Sequence, residues 1–484
     1  MKKLILLCAI LIISIVPLYV FSQNAHFYIH IKDSKYIPTV TDLKDSSGFL
    51  KVSSKIDKLN MVVRKYKFKE FKQAFPTAKT DWLKEIYYVD CDNEDFENDI
   101  KKQFVSQMPL IERLCSPQTT GSFTPNDPIF REGKQTNLDL IHAEEAWDIA
   151  KDYPKIKVAI NDNGFQLDHE DLQYDSIDGQ NTTNLHGTFT AGCLGAKIDN
   201  SIGLASIGSL SSQITYSTGS KWGDNNAILL LAQAGYRVIN CSWFHSCTYS
   251  SIEAALYDEI RNTWNCVVVF GAGNGAGHCN YGKTYPPAYE SCLSVTSVGH
   301  IYDRGVLENG IAKNWKDVHE RYIGDPSSTH NHNEAVDICA PGYDIYSTAT
   351  SNTYFTSNGT SFAAPQVAGV AAMIIAVNPS LSSNQVVDIL KSTADTTIYD
   401  IPENTNYIGQ LGSGRLNAYK AVKKACSLDF NNTAFVGNSN ETGCYITATN
   451  CIIESTANVV FDATKEVNLQ SGFEVQLGST FEAK

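Results

Sequence analysis

Residues 156–164 read IKVAINDNG and residues 186–196 read HGTFTAGCLGA. The first is a short, β-branched apolar run that ends in a carboxylate and a glycine. The second is a helical pattern that opens on a histidine. The pairing recurs downstream, with Gln213–Ser217 before Asn225–Ala234, Arg237–Ser242 before Ile252–Thr263, and then Cys266–Gly271. Apolar strands alternating with helices predict an α/β region whose parallel sheet is covered on both faces. The pattern runs from Asn126 to about Ala425, and about 300 residues suffice for one large core.

Four segments of this region each put a reactive group beside glycine, at a strand end or a helix start. In Val158–Gly164 a buried strand ends at Asp162, and Gly164 lets the chain turn sharply. Such a carboxylate can hold an imidazole in one tautomer, or can equally start an Asx turn. In His186–Gly192, small residues at Gly187, Ala191 and Gly192 let a helix pack closely on a sheet. His186 sits at the helix start, where the dipole disfavours the imidazolium and keeps a base usable at neutral pH. In Val267–Asn274, glycines follow a strand, and the Asn274 amide can donate to a developing oxyanion or sit in a turn. In Asn358–Pro365, Ser361 opens the apolar helix Val367–Val377, with Pro365 acceptable in its first turn. A free backbone N–H there can join Asn274 at an oxyanion, though a serine N-cap is the ordinary reading. Together the chain supplies acid, base, amide and nucleophile in the order Asp…His…Asn…Ser. Asp…His…Ser is the order of subtilisin, not of chymotrypsin or the α/β-hydrolases.

Residues 126–425 accordingly resemble the subtilisin-like serine proteases, the subtilases. Gly359–Pro365 (GTSFAAP) and His186-Gly187-Thr188 with Ala191-Gly192 carry the resemblance most specifically; Asp168–Leu172, Val238–Ser242, Ala340-Pro341-Gly342, Asn126-Asp127-Pro128 and Ala146-Trp147 extend it. It implies a subtilisin-like three-layer fold with a mainly parallel sheet, and a secreted serine endopeptidase working through an acyl-enzyme. Asp162 is then expected to orient His186, and His186 to take the proton of Ser361. Ser361 attacks the peptide carbonyl, and Asn274 with the Ser361 N–H holds the oxyanion. Ser242, Trp243, Phe244, Ala272 and Gly273 are implied to contact substrate. The chain departs from the family at four of these places. Phe189 replaces a second histidine, with its effect expected on packing. Asn163 stands where Ser or Thr is usual, and Gly271 for alanine is expected to be mild. Phe244 takes a glycine position beside the primary specificity pocket, where a ring either narrows the pocket or points away. Lys197–Leu204 (KIDNSIGL) resembles the family's calcium loop. It implies Asp171, Asn200 and the carbonyls of Ile202 and Leu204 as hard oxygen ligands for Ca²⁺. No cofactor is expected for the chemistry itself.

The flanks read differently. Residues 1–22 (MKKLILLCAILIISIVPLYVFS) form a secretory signal peptide, with an uncleaved anchor as the alternative. Residues 23–125 show helix-like spacing at Phe68–Phe75 and Glu94–Phe104 and a strand at Tyr87–Val89. This small α+β region weakly resembles the family's propeptide, which implies an inhibitor of the chain's own protease; a retained domain is the alternative. Cys115–Pro125 is its polar linker. Residues 426–484 carry short alternating runs, Asn458–Phe461, Glu466–Leu469, Phe473–Leu477 and Ser479–Glu482, broken by Gly472 and Gly478. They read as a small all-β module, similar to β-strand modules that end secreted proteases and adhesins. The alternatives to an active protease are an inactive subtilase or an adhesion protein acting through this module.

Composition bounds these readings. With 39 basic against 52 acidic residues and a net charge of −13, bulk attraction to nucleic acid or anionic membrane is excluded. At 43% hydrophobic and 19% charged, the chain is not disordered, collagenous or a coiled coil. No later stretch approaches about 18 apolar residues, so no membrane span is expected after signal removal. The expected location is secreted or cell-surface, and the expected partners are protein or peptide substrates. Among the 13 cysteines, Cys279 with Cys292, Cys444 with Cys451 and Cys241 with Cys247 are disulfide candidates. Cys193 and Cys339 read as buried small hydrophobes. His330 and His332 lack a spaced cysteine partner for zinc and read as a polar loop.

Overall fold

The computed structural model describes residues 25–44, 49–76, 80–91, 95–104, 106–114, 123–300, 307–308, 311–312 and 317–484. The signal-peptide reading of residues 1–22 lies outside them, as does most of the Cys115–Pro125 linker. The chain divides into two compact units, Met1–Gly121 and Ser122–Lys484.

In the first unit, six strands form one antiparallel sheet in the order Thr39–Lys44, Leu50–Ser53, Phe68–Gln73, Ile86–Cys91, Ala25–His30, Leu110–Leu114. Helices Asp57–Val63 and Asp95–Phe104 pack Leu59, Val62, Phe96 and Ile100 into a core with Phe27, Ile29, Phe68 and Val89. The helix-like spacing at Phe68–Phe75 is in fact a strand, Phe68–Gln73. A register irregularity between Phe68 and Glu70 inserts an extra residue. Two rings three positions apart therefore reach the same buried face, a spacing that mimics a helix.

The second unit is built on seven strands: β1 (Ile156–Asn161), β2 (Ser176–Asp178), β3 (Ser212–Ser217), β4 (Val238–Cys241), β5 (Val267–Gly271), β6 (Leu293–Val298) and β7 (Ile338–Pro341). Their order is β7-β6-β5-β4-β1-β3-β2 and every pairing is parallel. After three short helices, Pro128–Arg131, Thr136–Leu140 and Ala143–Ala150, the helices used below are α1 (Leu185–Gly195), α2 (Asn225–Gln233), α3 (Ser251–Asn262), α4 (Thr360–Val377), α5 (Ser383–Ser392) and α6 (Ala418–Cys426). Strand β5 shows why three layers form. Val267 and Val269 join the cluster that contains α4, α5 and α6, while Val268 and Phe270 join Ile228, Tyr257 and Ile260 of α2 and α3. Alternate side chains of one apolar strand thus feed two helix layers. Helix α4 is long and apolar enough to cross a membrane, but it runs through the core. Of its 18 residues only Ser361 is not buried.

Beyond α6 the chain winds into stacked parallel strands. Ser427–Asn431, Asn438–Thr449, Asn458–Leu469 and Thr480–Ala483 form one sheet; Ala434–Phe435, Ile452–Ile453 and Glu474–Val475 form a second. Asn458–Phe461 and Glu466–Leu469, which read as separate runs, are one continuous 12-residue strand. The rings of Phe430, Phe435, Phe461, Phe473 and Phe481 meet between the layers. Lys465 Nζ to Asp148 Oδ2, 2.7 Å, ties this stack to the residues around the sheet.

Among the described residues, disulfides join Cys247 to Cys279 and Cys426 to Cys444. None of the three pairings drawn from nearness in sequence forms, because Cys241, Cys292 and Cys451 are buried thiols. Cys241 and Cys292 lie in the apolar layer beneath α2 and α3, and Cys451 lies in the C-terminal core. Adjacency along the chain does not fix where a Cβ points. Cys193 and Cys339 are free and buried, as expected.

Candidate active site

Strand β1 ends at Asn161 and delivers Asp162 to the carboxyl edge of the sheet, where open α/β folds place their ligands. Asp162 is 1% exposed. Its carboxylate accepts from the Asn163 N–H (2.8 Å) and from Thr190 Oγ1 (3.1 Å), and it lies 2.9 and 3.0 Å from His186 Nδ1. Gly164, at φ +149°, turns the chain so that α1 can approach. A Cβ on Gly187 would lie 2.1 Å from the Gly164 carbonyl oxygen, so glycine at 187 is what lets the imidazole and the carboxylate meet.

Asn184 caps α1 by accepting from the His186 N–H at 2.9 Å. Burial disfavours the His186 imidazolium, but the charge and hydrogen bond of Asp162 more than offset it, and His186 titrates above its usual range. The dipole expectation of a base held neutral is thus overridden by the carboxylate. Phe189 packs on Phe362 (4.2 Å between centroids) and lies 1% exposed, so its replacement of a histidine does act on packing.

Ser361 occupies the second position of α4. Its hydroxyl faces the Ser242 carbonyl at 3.5 Å, and it lines, with His186, a cavity of about 310 Å³. Among the described residues no hydrogen bond joins the Ser361 hydroxyl to His186. Pro365 falls in the second turn rather than the first, because α4 opens at Thr360. In a regular helix its N–H would bond the Ser361 carbonyl. Proline has none, and that carbonyl instead accepts from Ser242 Oγ at 2.8 Å.

Asn274 is oriented by its oxygen, which accepts from the Thr360 N–H (2.9 Å) and Thr360 Oγ1 (3.0 Å). Thr360 Oγ1 also accepts from the Gly273 N–H at 3.1 Å. Among the described residues, neither Asn274 Nδ2 nor the Ser361 N–H has an acceptor. Gly271 matters more than expected. A Cβ there would lie 2.9 Å from Thr360 Oγ1 and 3.0 Å from the Thr360 carbonyl carbon, so alanine would press on this anchor.

Ser242, Trp243, Phe244 and Gly273 line the same cavity, whereas Ala272 lies behind it, with its carbonyl accepting from Thr284 Oγ1. The Phe244 ring does not point away: it forms a wall with His278, centroids 4.8 Å apart. The Cys247–Cys279 disulfide joins the two loops that carry these rings. A larger cleft of about 570 Å³, lined in part by Asp258, Arg261, Lys283, Glu334 and Lys391, contains none of these reactive groups.

In the candidate calcium loop, Asp171 Oδ1 accepts from Asn200 Nδ2 and Oδ2 from the Leu204 N–H, both 2.9 Å. Burial, with Asp127 adding to it, pushes the Asp171 carboxyl up to about 7. Asp127, fully buried, accepts from the Asp199 N–H at 2.8 Å. Two buried carboxylates against one loop suit a hard cation. The Asn200 oxygen, however, accepts from the Ile202 N–H at 2.8 Å and is turned from Asp171. Ile202 is partly exposed. The predicted ligands thus share the loop without converging. Among the described residues no group of three or more His, Cys, Asp or Glu side chains is placed for a metal. His330 and Asn331 are buried, not a solvated loop, and His330 stacks on Tyr343 at 4.5 Å.

The sequence assigns no individual role to Thr360, Asp127 or Asn331, although the first two fall inside the motifs that carry the resemblance. Thr360 had a signal, its place directly before the candidate nucleophile. Asn331 had none, bonding Gly275 across 56 residues from an irregular segment.

The subtilase family model matches residues 154–423. Thermitase of Thermoactinomyces vulgaris is 31% identical over 318 residues, 62% of this chain and 100% of that protein. Subtilisin DY of Bacillus licheniformis is 31% identical over 273 residues, 53% of this chain and 90% of its own length. Among solved structures, a Pseudoalteromonas arctica protease matches with a TM-score of 0.48 and 23% identity, covering 63% of this chain and 100% of its own.

Proposed function

Since the chain belongs to the subtilase family of serine endopeptidases, we propose that it cleaves peptide bonds with Ser361 as nucleophile, His186 as general base and acid, and Asp162 as orienting carboxylate. Ser361 Oγ adds to the peptide carbonyl while His186 Nε2 takes its proton. Asp162 keeps the proton on Nδ1 and stabilises the imidazolium as it forms. His186 then protonates the leaving amine, and water resolves the acyl-enzyme with the same residue as base. The oxyanion is held by Asn274 Nδ2 and the Ser361 N–H. The observation that carries this reading is that, among the described residues, both donors are without acceptors while the Asn274 oxygen is tied to Thr360. Loss of one such donor costs on the order of 10²–10³ in kcat, a magnitude taken from subtilisin itself.

The substrates are proteins or peptides. The wall of Phe244 and His278 selects small side chains next to the scissile bond. A Ca²⁺ at this loop would be held by the Asp171 and Asp127 carboxylates, which both face it. It would rigidify the loop and supply nothing to the chemistry. Residues 1–22 direct export and residues 23–125 inhibit the protease until removed; two disulfides suit an oxidising location.

The test is hydrolysis of an unfolded protein substrate by wild type and Ser361→Ala. Cleavage by wild type alone supports the reading. Absence of cleavage after residues 23–125 have been removed would leave the inactive or adhesion alternatives.

A further inference from the structure

Asn331 uses all three of its N–H donors and both of its oxygens in hydrogen bonds, and most of the partners lie on one loop. Its N–H donates to the Gly273 carbonyl at 3.0 Å. Its Oδ1 accepts from the Gly275 N–H at 2.8 Å. Its Nδ2 donates to the His278 and Gly282 carbonyls, both at 2.9 Å. Its own carbonyl accepts from Thr296 Oγ1, which anchors it to β6. Asn331 is 0% exposed and does not line the catalytic cavity.

The loop needs such a partner. Residues 273–282 contain Gly273, Gly275, Gly277 and Gly282, and glycine-rich backbone loses the most freedom on ordering. Asn274 lies between the two glycines that Asn331 grips. Gly273 has φ +112°, and a Cβ there would lie 2.6 Å from Asn331 Nδ2, so the clasp and the glycine require each other. An amide uniquely offers two donors and an acceptor. Aspartate would place a charge against two carbonyls, and alanine would abandon three hydrogen bonds at once.

We infer that Asn331 is a positioning residue of the oxyanion hole, fixing the backbone on both sides of Asn274 so that its amide meets the developing charge. The inference rests on the reading of Asn274 as an oxyanion donor. Thr360 holds the tip of the Asn274 side chain, and Asn331 holds the backbone it springs from.

The experiment is a double-mutant cycle in which residues 23–125 are removed from every folded full-length variant by the same added protease, comparing wild type, Asn331→Ala, Asn274→Ala and the pair on one peptide p-nitroanilide. Asn331→Ala should lower kcat on the order of ten- to a hundred-fold, with KM within about threefold. In the Asn274→Ala background the same change should lower kcat less than about threefold, because the group it positions is gone. Equal losses in both backgrounds, or no loss in the first, would overturn the inference. If Asn331→Ala does not fold, Asn331→Ser is read in the same cycle. A wild type inactive toward every peptide would instead remove the proposed function, and this inference with it.

Discussion

Replacing Thr360 by valine keeps the shape of the side chain and removes a single hydroxyl. That hydroxyl accepts from the Gly273 N–H at 3.1 Å and donates to Asn274 Oδ1 at 3.0 Å. Thr360 and Gly273 are both buried, so the Gly273 N–H would be left without a partner at a cost of about 1–3 kcal/mol. The lost bond to Asn274 adds about 0.5–1.5 kcal/mol, for a total of about 1.5–4.5 kcal/mol of stability. The effect on rate should be smaller. Asn274 keeps its second anchor, the Thr360 N–H at 2.9 Å. Loss of one anchor is worth about 1 kcal/mol of orientation, or about fivefold in kcat. Urea unfolding gives the first quantity and steady-state hydrolysis of a peptide p-nitroanilide the second. A variant with unchanged unfolding midpoint and unchanged kcat would refute the network. So would a kcat as low as that of Asn274→Ala, because it would make the backbone anchor irrelevant.

Other expectations follow from the same geometry. His186 must be neutral to accept a proton and titrates above its usual range, so kcat/KM should fall on acidification with a midpoint above about 6.5. In Asp162→Asn only burial remains, and the acid limb of the residual activity should move to lower pH; an unmoved limb would mean another group titrates. Phe244→Gly should open the specificity wall and raise relative cleavage after Phe, Tyr and Leu in a peptide library by about tenfold or more; an unchanged profile would show that the ring does not select. A chelator should lower Tm, and added Ca²⁺ restore it, by an amount that disappears in Asp171→Asn; no shift in wild type would dismiss the calcium loop.

What the sequence revealed, and what it hid, divides by range. The β1–α1 unit was legible because a buried strand, a glycine turn and a helix start are local, and they carry Asp162 and His186 with them. The covered parallel sheet was legible because strands such as Val267–Gly271 are apolar on both faces. The strand at Phe68 was misread because a bulge shifts its alternation. The disulfides were misread because Cys247 and Cys279, 32 residues apart, are brought together only by the loops after β4 and β5. Thr360 and Asn331 act through hydrogen bonds to residues distant in the chain, which composition and spacing do not encode. The stacked C-terminal strands left only their alternation as a trace; their parallel pairing across each turn became visible in the structure.

The central claim, that Ser361 is the nucleophile activated by His186 and Asp162, is tested most directly by mapping a fluorophosphonate adduct on the processed protein by peptide mass spectrometry. A single adduct on Ser361 is expected, formed more slowly in His186→Ala and Asp162→Asn and absent from Ser361→Ala. An adduct on any other residue, or labelling of Ser361 at an undiminished rate without His186, would contradict it.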